Sequence, residues 1–231
     1  MKHRKNEIPY RIIIVLIKTY WKIIAPKFKF IGLENIPTQG GAIVASNHLG
    51  FLDFAFIGTA ALPRKRLIRF MAKKEIFDNK IAGPWMMGMG HISVDRENGA
   101  PSLVAALRAL KKGELVGIFP EGTIPRNFDT KEMKTGAVRL SMGSGAPVIP
   151  TAIWGSQRYM TTGHPPKLST RKIPIWIKFG EPIFYTKEQD VHEAEEQMRA
   201  KIIELLVSIQ NNYPDSPQNQ WWAPKRLGGI A

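Results

Sequence analysis

The chain has 231 residues, enough for one sizeable domain with helical additions around a real core. It contains no cysteine, which excludes disulfides, cysteine-ligated metals and thiolate nucleophiles. Its 33 Lys and Arg against 19 Asp and Glu leave a net charge of +14, which points to an anionic partner: nucleic acid, anionic lipid or a phosphorylated small substrate.

The front of the chain is both basic and apolar. Residues 1–29 hold Lys2, Arg4, Lys5, Arg11, Lys18, Lys22, Lys27 and Lys29 against Glu7 alone. Within EIPYRIIIVLIKTYWKIIAP the longest uninterrupted apolar run is Ile12 to Ile17, far short of the roughly 20 residues of a bilayer span. Arg11, Lys18 and Lys22 fall on one helical stripe, and the rest of the circumference is Ile, Val, Leu, Tyr and Trp. That pattern predicts an amphipathic helix lying in the interface of an anionic membrane, with Tyr20 and Trp21 as anchors. The alternative is a helix docked on the protein's own core. No small-x-small cleavage site follows, so a cleaved signal peptide is not expected.

Beyond Pro26, KFKFIGLENIP reads as a short strand and turn, and GGAIVAS as a buried strand. FLDFAFIGTAAL has helical length and stops before Pro63. LIRFMA predicts a strand inside a second basic cluster, with six cations from Arg64 to Lys74, and a short helix follows around Glu75–Lys80. IAGPWMMGMGHISVDR suggests a helix or loop and then a strand at His91–Val94. SLVAALRALKKG is a helix with Leu103, Leu107 and Leu110 on one face and Gly113 to end it. ELVGIF is a strand leading into FPEGT, residues 137–143 a helix, and PVIPTAIW and PIWIKFGEPI strands. A basic loop runs from Ser156 to Lys172, long enough for a lid or a substrate wall. Residues 187–211 form an amphipathic helix. Alternation of this kind implies an α/β fold with a mixed, largely parallel sheet flanked by helices. The expected organisation is a membrane-associating segment at 1–29, an α/β domain at 30–211 and an irregular tail at 212–231.

Two polar motifs interrupt the apolar pattern. In SNHLGFLDFAF, His48 and Asp53 are five positions apart, which on a regular helix turns them about 140° away from each other. If GGAIVAS is a strand and FLDFAF opens a helix, the intervening Leu49–Gly50 turn folds the carboxylate back to the imidazole. Gly50 can adopt backbone angles that other residues avoid. A carboxylate on one ring nitrogen makes the other a positioned general base; the alternative is a structural pair that caps the helix. Asn47 reads as a turn former. No second histidine stands close by and no HExxH occurs, so metal binding is the weaker reading. No serine nucleophile motif of the G-x-S-x-G kind is present either. FPEGT, 119–123, is by itself a common turn composition, but it also follows a strand. Arg96, Arg126 and Lys134 add cations suited to a phosphate.

Taken in order, NHLGFLD, GHISVDR, FPEGT and APVIP span residues 47–150, with MAKKEIF and KTGA beside them. This set resembles the glycerolipid acyltransferase family, most closely the 1-acyl-glycerol-3-phosphate acyltransferases. The resemblance implies that His48 deprotonates a free hydroxyl of the acceptor and that Asp53 orients His48. It implies that Arg96, Glu121, Gly122 and Thr123 organise the glycerol-phosphate end of a lysophospholipid acceptor, with Pro150 in a supporting wall. Lys73 and Lys134 become candidate contacts for phosphate or coenzyme A. Many relatives carry an arginine directly after the Thr of FPEGT; here Ile124 and Pro125 intervene before Arg126, which makes Arg96 the stronger phosphate ligand. The implied acyl donor is acyl-CoA or acyl carrier protein, and no metal or redox cofactor is called for. The implied location is the cytoplasmic face of the cell membrane, peripheral or monotopic. Two other readings are the same chemistry on glycerol-3-phosphate or another lysolipid, and a non-catalytic basic protein bound to membrane or nucleic acid. No nucleic-acid recognition motif supports the last, and it leaves both polar motifs unexplained.

Overall fold

The computed structural model describes residues 7–130 and 132–231. Lys2, Arg4 and Lys5 of the N-terminal basic segment lie outside them. Among the described residues, helix α1 spans Ile8–Ile24, followed by strands β1 (Lys27–Ile31) and β2 (Ala42–Ser46). Then come α2 (Asp53–Ala61), β3 (Ile68–Lys73), α3 (Lys74–Asp78), α4 (Ala82–Gly88), β4 (Ile92–Val94) and α5 (Ala100–Lys111). The second half holds β5 (Leu115–Ile118), α6 (Gly136–Ser144), β6 (Val148–Trp154), β7 (Pro174–Phe179) and α7 (Val191–Asn211).

The strands form one sheet in the order β1-β7-β6-β2-β5-β3-β4. Every pair is parallel except β6 with β7, as the mixed, largely parallel sheet anticipated. β2 and β6 are buried along their whole length, which explains why their sequences are continuous apolar runs rather than alternations. One face is covered by α1 and α2, where Trp21, Ile24 and Phe56 join the core; the other is covered by α5, α6 and α7 through Ala106, Ala137 and Met198. β2, β3, β4, β5 and β6 all point the same way. Their C-terminal ends therefore share one rim, and NHLGFLD, GHISVDR and FPEGT leave the sheet there, whereas APVIP leads into β6 from its opposite end.

Helix α1 corrects one expectation. Trp21 is buried, stacks on Phe56 with ring centroids 4.5 Å apart, and donates its indole N–H to Thr59 Oγ1 at 3.0 Å. It anchors the helix to the protein's own core and not to a membrane. Tyr10, Trp21 and Ile24 are the buried positions, while Ile8, Ile12, Val15, Leu16 and Ile23 are exposed on the outer face. The helix thus has two apolar faces, and the exposed cations Arg11, Lys18 and Lys22 lie along one border between them. No helix among the described residues is long and apolar enough to cross a membrane.

The final helix begins later than the sequence suggests, because the Asp190 carboxylate caps it by accepting from the His192 and Glu193 N–H groups. The tail after Asn211 is irregular apart from one short turn at Lys225–Leu227. It is nevertheless packed in place: Trp222 and Ala223 are buried against Trp154 and Leu206.

Candidate active site

β2 ends at Ser46, so Asn47 and His48 stand on the C-terminal rim; β5, its hydrogen-bonded neighbour, ends at Ile118 just before FPEGT. Parallel pairing with Ala45 opposite Ile118 brings two motifs 73 residues apart into contact. The joining bond is direct: the His48 backbone N–H donates to Glu121 Oε1 at 3.1 Å. Glu121 is buried. FPEGT is a hydrogen-bonded turn, with the Gly122 N–H donating to the Phe119 carbonyl at 3.0 Å. Pro120 suits its second position, and Gly122 takes the left-handed φ of 67° that its place requires.

Asp53 opens α2, where a carboxylate is favoured by the helix dipole. It is fully buried, and its Oδ2 accepts three hydrogen bonds: from His48 Nδ1 at 2.9 Å, from the Leu49 N–H at 2.6 Å and from the Gly50 N–H at 2.9 Å. Its other oxygen, Oδ1, has no hydrogen-bond partner among the described residues. With a carboxylate on Nδ1, that nitrogen carries the proton and Nε2 presents a lone pair. The imidazole lies flat on Phe119, with centroids 4.1 Å apart and planes at 15°, and 21% of its side chain faces solvent. The turn expected between His48 and Asp53 is present, but Gly50 serves it for a different reason. It is not among the residues of positive φ. A Cβ there would lie 2.8 Å from the Met160 carbonyl oxygen. Close approach of a second loop, not a left-handed backbone, requires the glycine.

Cations gather around the same turn. β4 is one of the two edge strands, and the Arg96 guanidinium beyond its end reaches across to donate to the Gly122 carbonyl. The Lys134 N–H donates to the Pro120 carbonyl at 3.0 Å, and its Nζ would stand 3.7 Å from a Cβ on Gly122. His48, Asp53, Glu121, Gly122, Arg96 and Lys134 therefore form one cluster. Thr123 is exposed at its margin. Arg126 is not tied to the cluster: Ile124 and Pro125 turn inward and are buried, leaving Arg126 exposed on the excursion that ends at Lys134. Lys73 is exposed at the end of β3 on the same rim, without a bond to the cluster.

Three contributors escape a reading of the sequence. The Asn47 carboxamide, buried rather than a surface turn former, donates to the Ile153 carbonyl at 3.1 Å and accepts from the Ile153 N–H at 2.9 Å. Phe119 floors the imidazole; its place as the first residue of FPEGT is the only signal. Thr161 donates its hydroxyl to the Leu49 carbonyl at 2.6 Å from 112 residues away, with no motif to mark it. The His91 of GHISVDR is buried too, and its Nδ1 accepts the Phe70 N–H at 3.0 Å. Burial, helped by the Arg69 guanidinium, pushes its pKa down to about 4.

A partly exposed imidazole hydrogen-bonded through Nδ1 can remove a proton from a hydroxyl, and the cations beside it can hold an anionic group nearby. Comparison with known proteins agrees. The acyltransferase family matches residues 27–154. The 1-acyl-sn-glycerol-3-phosphate acyltransferase of Bacillus subtilis (strain 168) is 40% identical over 123 residues, 53% of this chain and 60% of its own length. The enzyme of the same name from Borreliella burgdorferi is 30% identical over 132 residues, covering 55% of this chain and 51% of its own length. The match thus spans less than two thirds of either relative. The crystal structure of the 1-acyl-sn-glycerophosphate acyltransferase of Thermotoga maritima superposes with a TM-score of 0.68 at 21% identity, over 90% of this chain and 84% of that one, which establishes the shared fold. With more than half of its length matched, this chain belongs to the acyltransferase family.

Proposed function

We propose that the protein transfers a fatty acyl group from an acyl thioester, acyl-CoA or acyl carrier protein, to the free hydroxyl of 1-acyl-glycerol-3-phosphate, giving phosphatidic acid. The observation that carries this reading is the His48–Asp53 pair, 2.9 Å apart at the C-terminal end of β2, with 21% of the His48 side chain open to solvent. The acceptor hydroxyl oxygen attacks the thioester carbonyl carbon while its proton passes to His48 Nε2. Asp53 stabilises the imidazolium that results. Collapse of the tetrahedral intermediate breaks the C–S bond, and the imidazolium returns the proton to the departing thiolate. The thioester is already activated, so the reaction calls for no metal or redox group.

Arg96 and Lys134, on either side of Gly122, are the groups we assign to the acceptor phosphate. Glu121 holds the loop that carries His48 and in this way joins the base to the phosphate site. The outer face of α1, apolar and bordered by Arg11, Lys18 and Lys22, fits an anionic leaflet in which such an acceptor resides. This location, on the cytoplasmic face of the membrane, is part of the same proposal.

The test is thiol release from acyl-CoA with 1-acyl-glycerol-3-phosphate as acceptor; the protein's own lack of cysteine removes any thiol background. His48→Ala is expected to lower turnover by about 10²-fold or more, with the fold retained. Arg96→Ala is expected to raise KM for the phosphorylated acceptor and leave that for the donor near its original value. Full activity in His48→Ala rules out the mechanism. An equal rise in both KM values rules out the phosphate role of Arg96.

A further inference from the structure

The Leu49–Gly50 peptide group is held at both ends. Its N–H donates to Asp53 Oδ2 at 2.9 Å, and its carbonyl accepts the Thr161 hydroxyl at 2.6 Å. Asp53 Oδ2 in turn binds His48 Nδ1 at 2.9 Å. A hydroxyl, one peptide, a carboxylate and an imidazole therefore form an unbroken hydrogen-bonded chain that ends at the base. Thr161 is buried, which strengthens its bond to the Leu49 carbonyl.

The rest of the Ser156–Lys172 loop grips the same turn. The Phe51 N–H donates to the Met160 carbonyl at 2.9 Å, and Gly50 leaves room for that oxygen and for the Ser156 carbonyl. The loop is itself held from behind by the C-terminal tail. Gln157 Nε2 donates to the Trp222 carbonyl at 3.0 Å, and the Arg158 guanidinium lies 4.6 Å from the Trp222 ring centre while pairing with Asp215. All of this support lies beyond residue 154, where the match to the family model ends.

We propose that Thr161 is a positioning residue for acyl transfer. By fixing the Leu49–Gly50 peptide, it aims that peptide's N–H at Asp53 and so holds the carboxylate where it orients His48. The long basic loop is thereby a buttress of the catalytic turn. A peptide freed at its carbonyl end can rotate. The carboxylate then loses one of three donors, and the imidazole loses its fixed direction. The kinetic consequence rests on the acyl-transfer reading; the hydrogen-bond relay does not.

The experiment compares full-length Thr161→Val with Thr161→Ser by steady-state kinetics, thermal melting and NMR-detected amide exchange at Gly50. Valine keeps the shape and removes the donor; serine keeps the donor. The valine variant is expected to lose about tenfold in kcat, with both KM values within about twofold of the parent. Its Gly50 amide is expected to exchange at least about tenfold faster. Serine is expected to restore both. Parent-like kcat in the valine variant overturns the proposal, as does a loss that serine fails to recover or that tracks a collapse in melting temperature. If the parent protein itself shows no acyl transfer, that failure belongs to the functional reading; the Gly50 exchange rate then decides the relay, and unchanged protection in the valine variant overturns it.

Discussion

Asn47 and Ile153 exchange two hydrogen bonds, side-chain carboxamide to backbone, at 3.1 and 2.9 Å. The β2–β6 ladder ends with Ser46 opposite Thr151, so the carboxamide extends the pairing by one rung after the β2 backbone has turned away towards His48. Both Ile153 groups are buried and have this partner in place of a strand.

Asn47→Ala is accordingly expected to cost about 2–4 kcal/mol, because each stranded buried group carries a penalty of about 1–3 kcal/mol. Asn47→Asp keeps the acceptor for the Ile153 N–H and loses the donor, so it is expected to be destabilised as well. Urea unfolding monitored by tryptophan fluorescence measures both. A loss below about 0.5 kcal/mol in the alanine variant, the range of ordinary surface substitutions, would show that the extra rung is dispensable.

This pair also marks where a sequence stops being informative. The strands leading to the site were legible because buried parallel strands are continuous apolar runs, and each ended where a polar motif began. The approach of His48 to Asp53 followed from the impossibility of a plain helix. The role of Asn47 did not, since a carboxamide at a strand end has the same local signature whether it faces solvent or a neighbouring strand. Helix α1 posed a different problem. With apolar residues almost all round, its pattern could not separate the face docked on the sheet from the face left open, and Trp21 was assigned to the wrong one. Gly50 was recognised as necessary, but the crowding carbonyl of Met160 comes from a distant loop that no local pattern reveals.

His91 makes stability depend on acidity in a definable window. Its pKa is lowered from 6.5 to about 4 by burial first and the Arg69 guanidinium second. Between those values the unfolded chain binds a proton that the folded chain refuses. The contribution is therefore complete above about pH 6.5 and is lost as pH falls towards 4, by an amount on the order of 3 kcal/mol. Urea unfolding of the parent and of His91→Asn across this range measures it. The variant is expected to show a shallower decline by about that amount. Identical pH slopes in the two proteins would assign the acid sensitivity to other groups.

The two faces of α1 separate stability from membrane binding. Trp21 is packed on Phe56 and hydrogen-bonded to Thr59, so Trp21→Ala is expected to cost about 3–5 kcal/mol in unfolding experiments. Ile12 and Leu16 are exposed on the opposite side. Helix α4, whose Gly88 packs against Pro9, adds exposed Trp85 and Met87 beside it, and Ile81 just before its start is exposed as well. The combined Ile12→Glu and Leu16→Glu variant removes no core contact, so its melting temperature is expected to stay within a few degrees of the parent's. It places two carboxylates where an anionic leaflet would meet apolar side chains. Partition onto vesicles containing anionic lipid is then expected to fall by about tenfold or more. Cosedimentation measures this, with neutral vesicles in parallel to separate the apolar contribution from that of Arg11, Lys18 and Lys22. Undiminished binding of the double variant to anionic vesicles would mean that the outer face of α1 does not rest on the membrane, and the search for the lipid-facing surface would pass to α4.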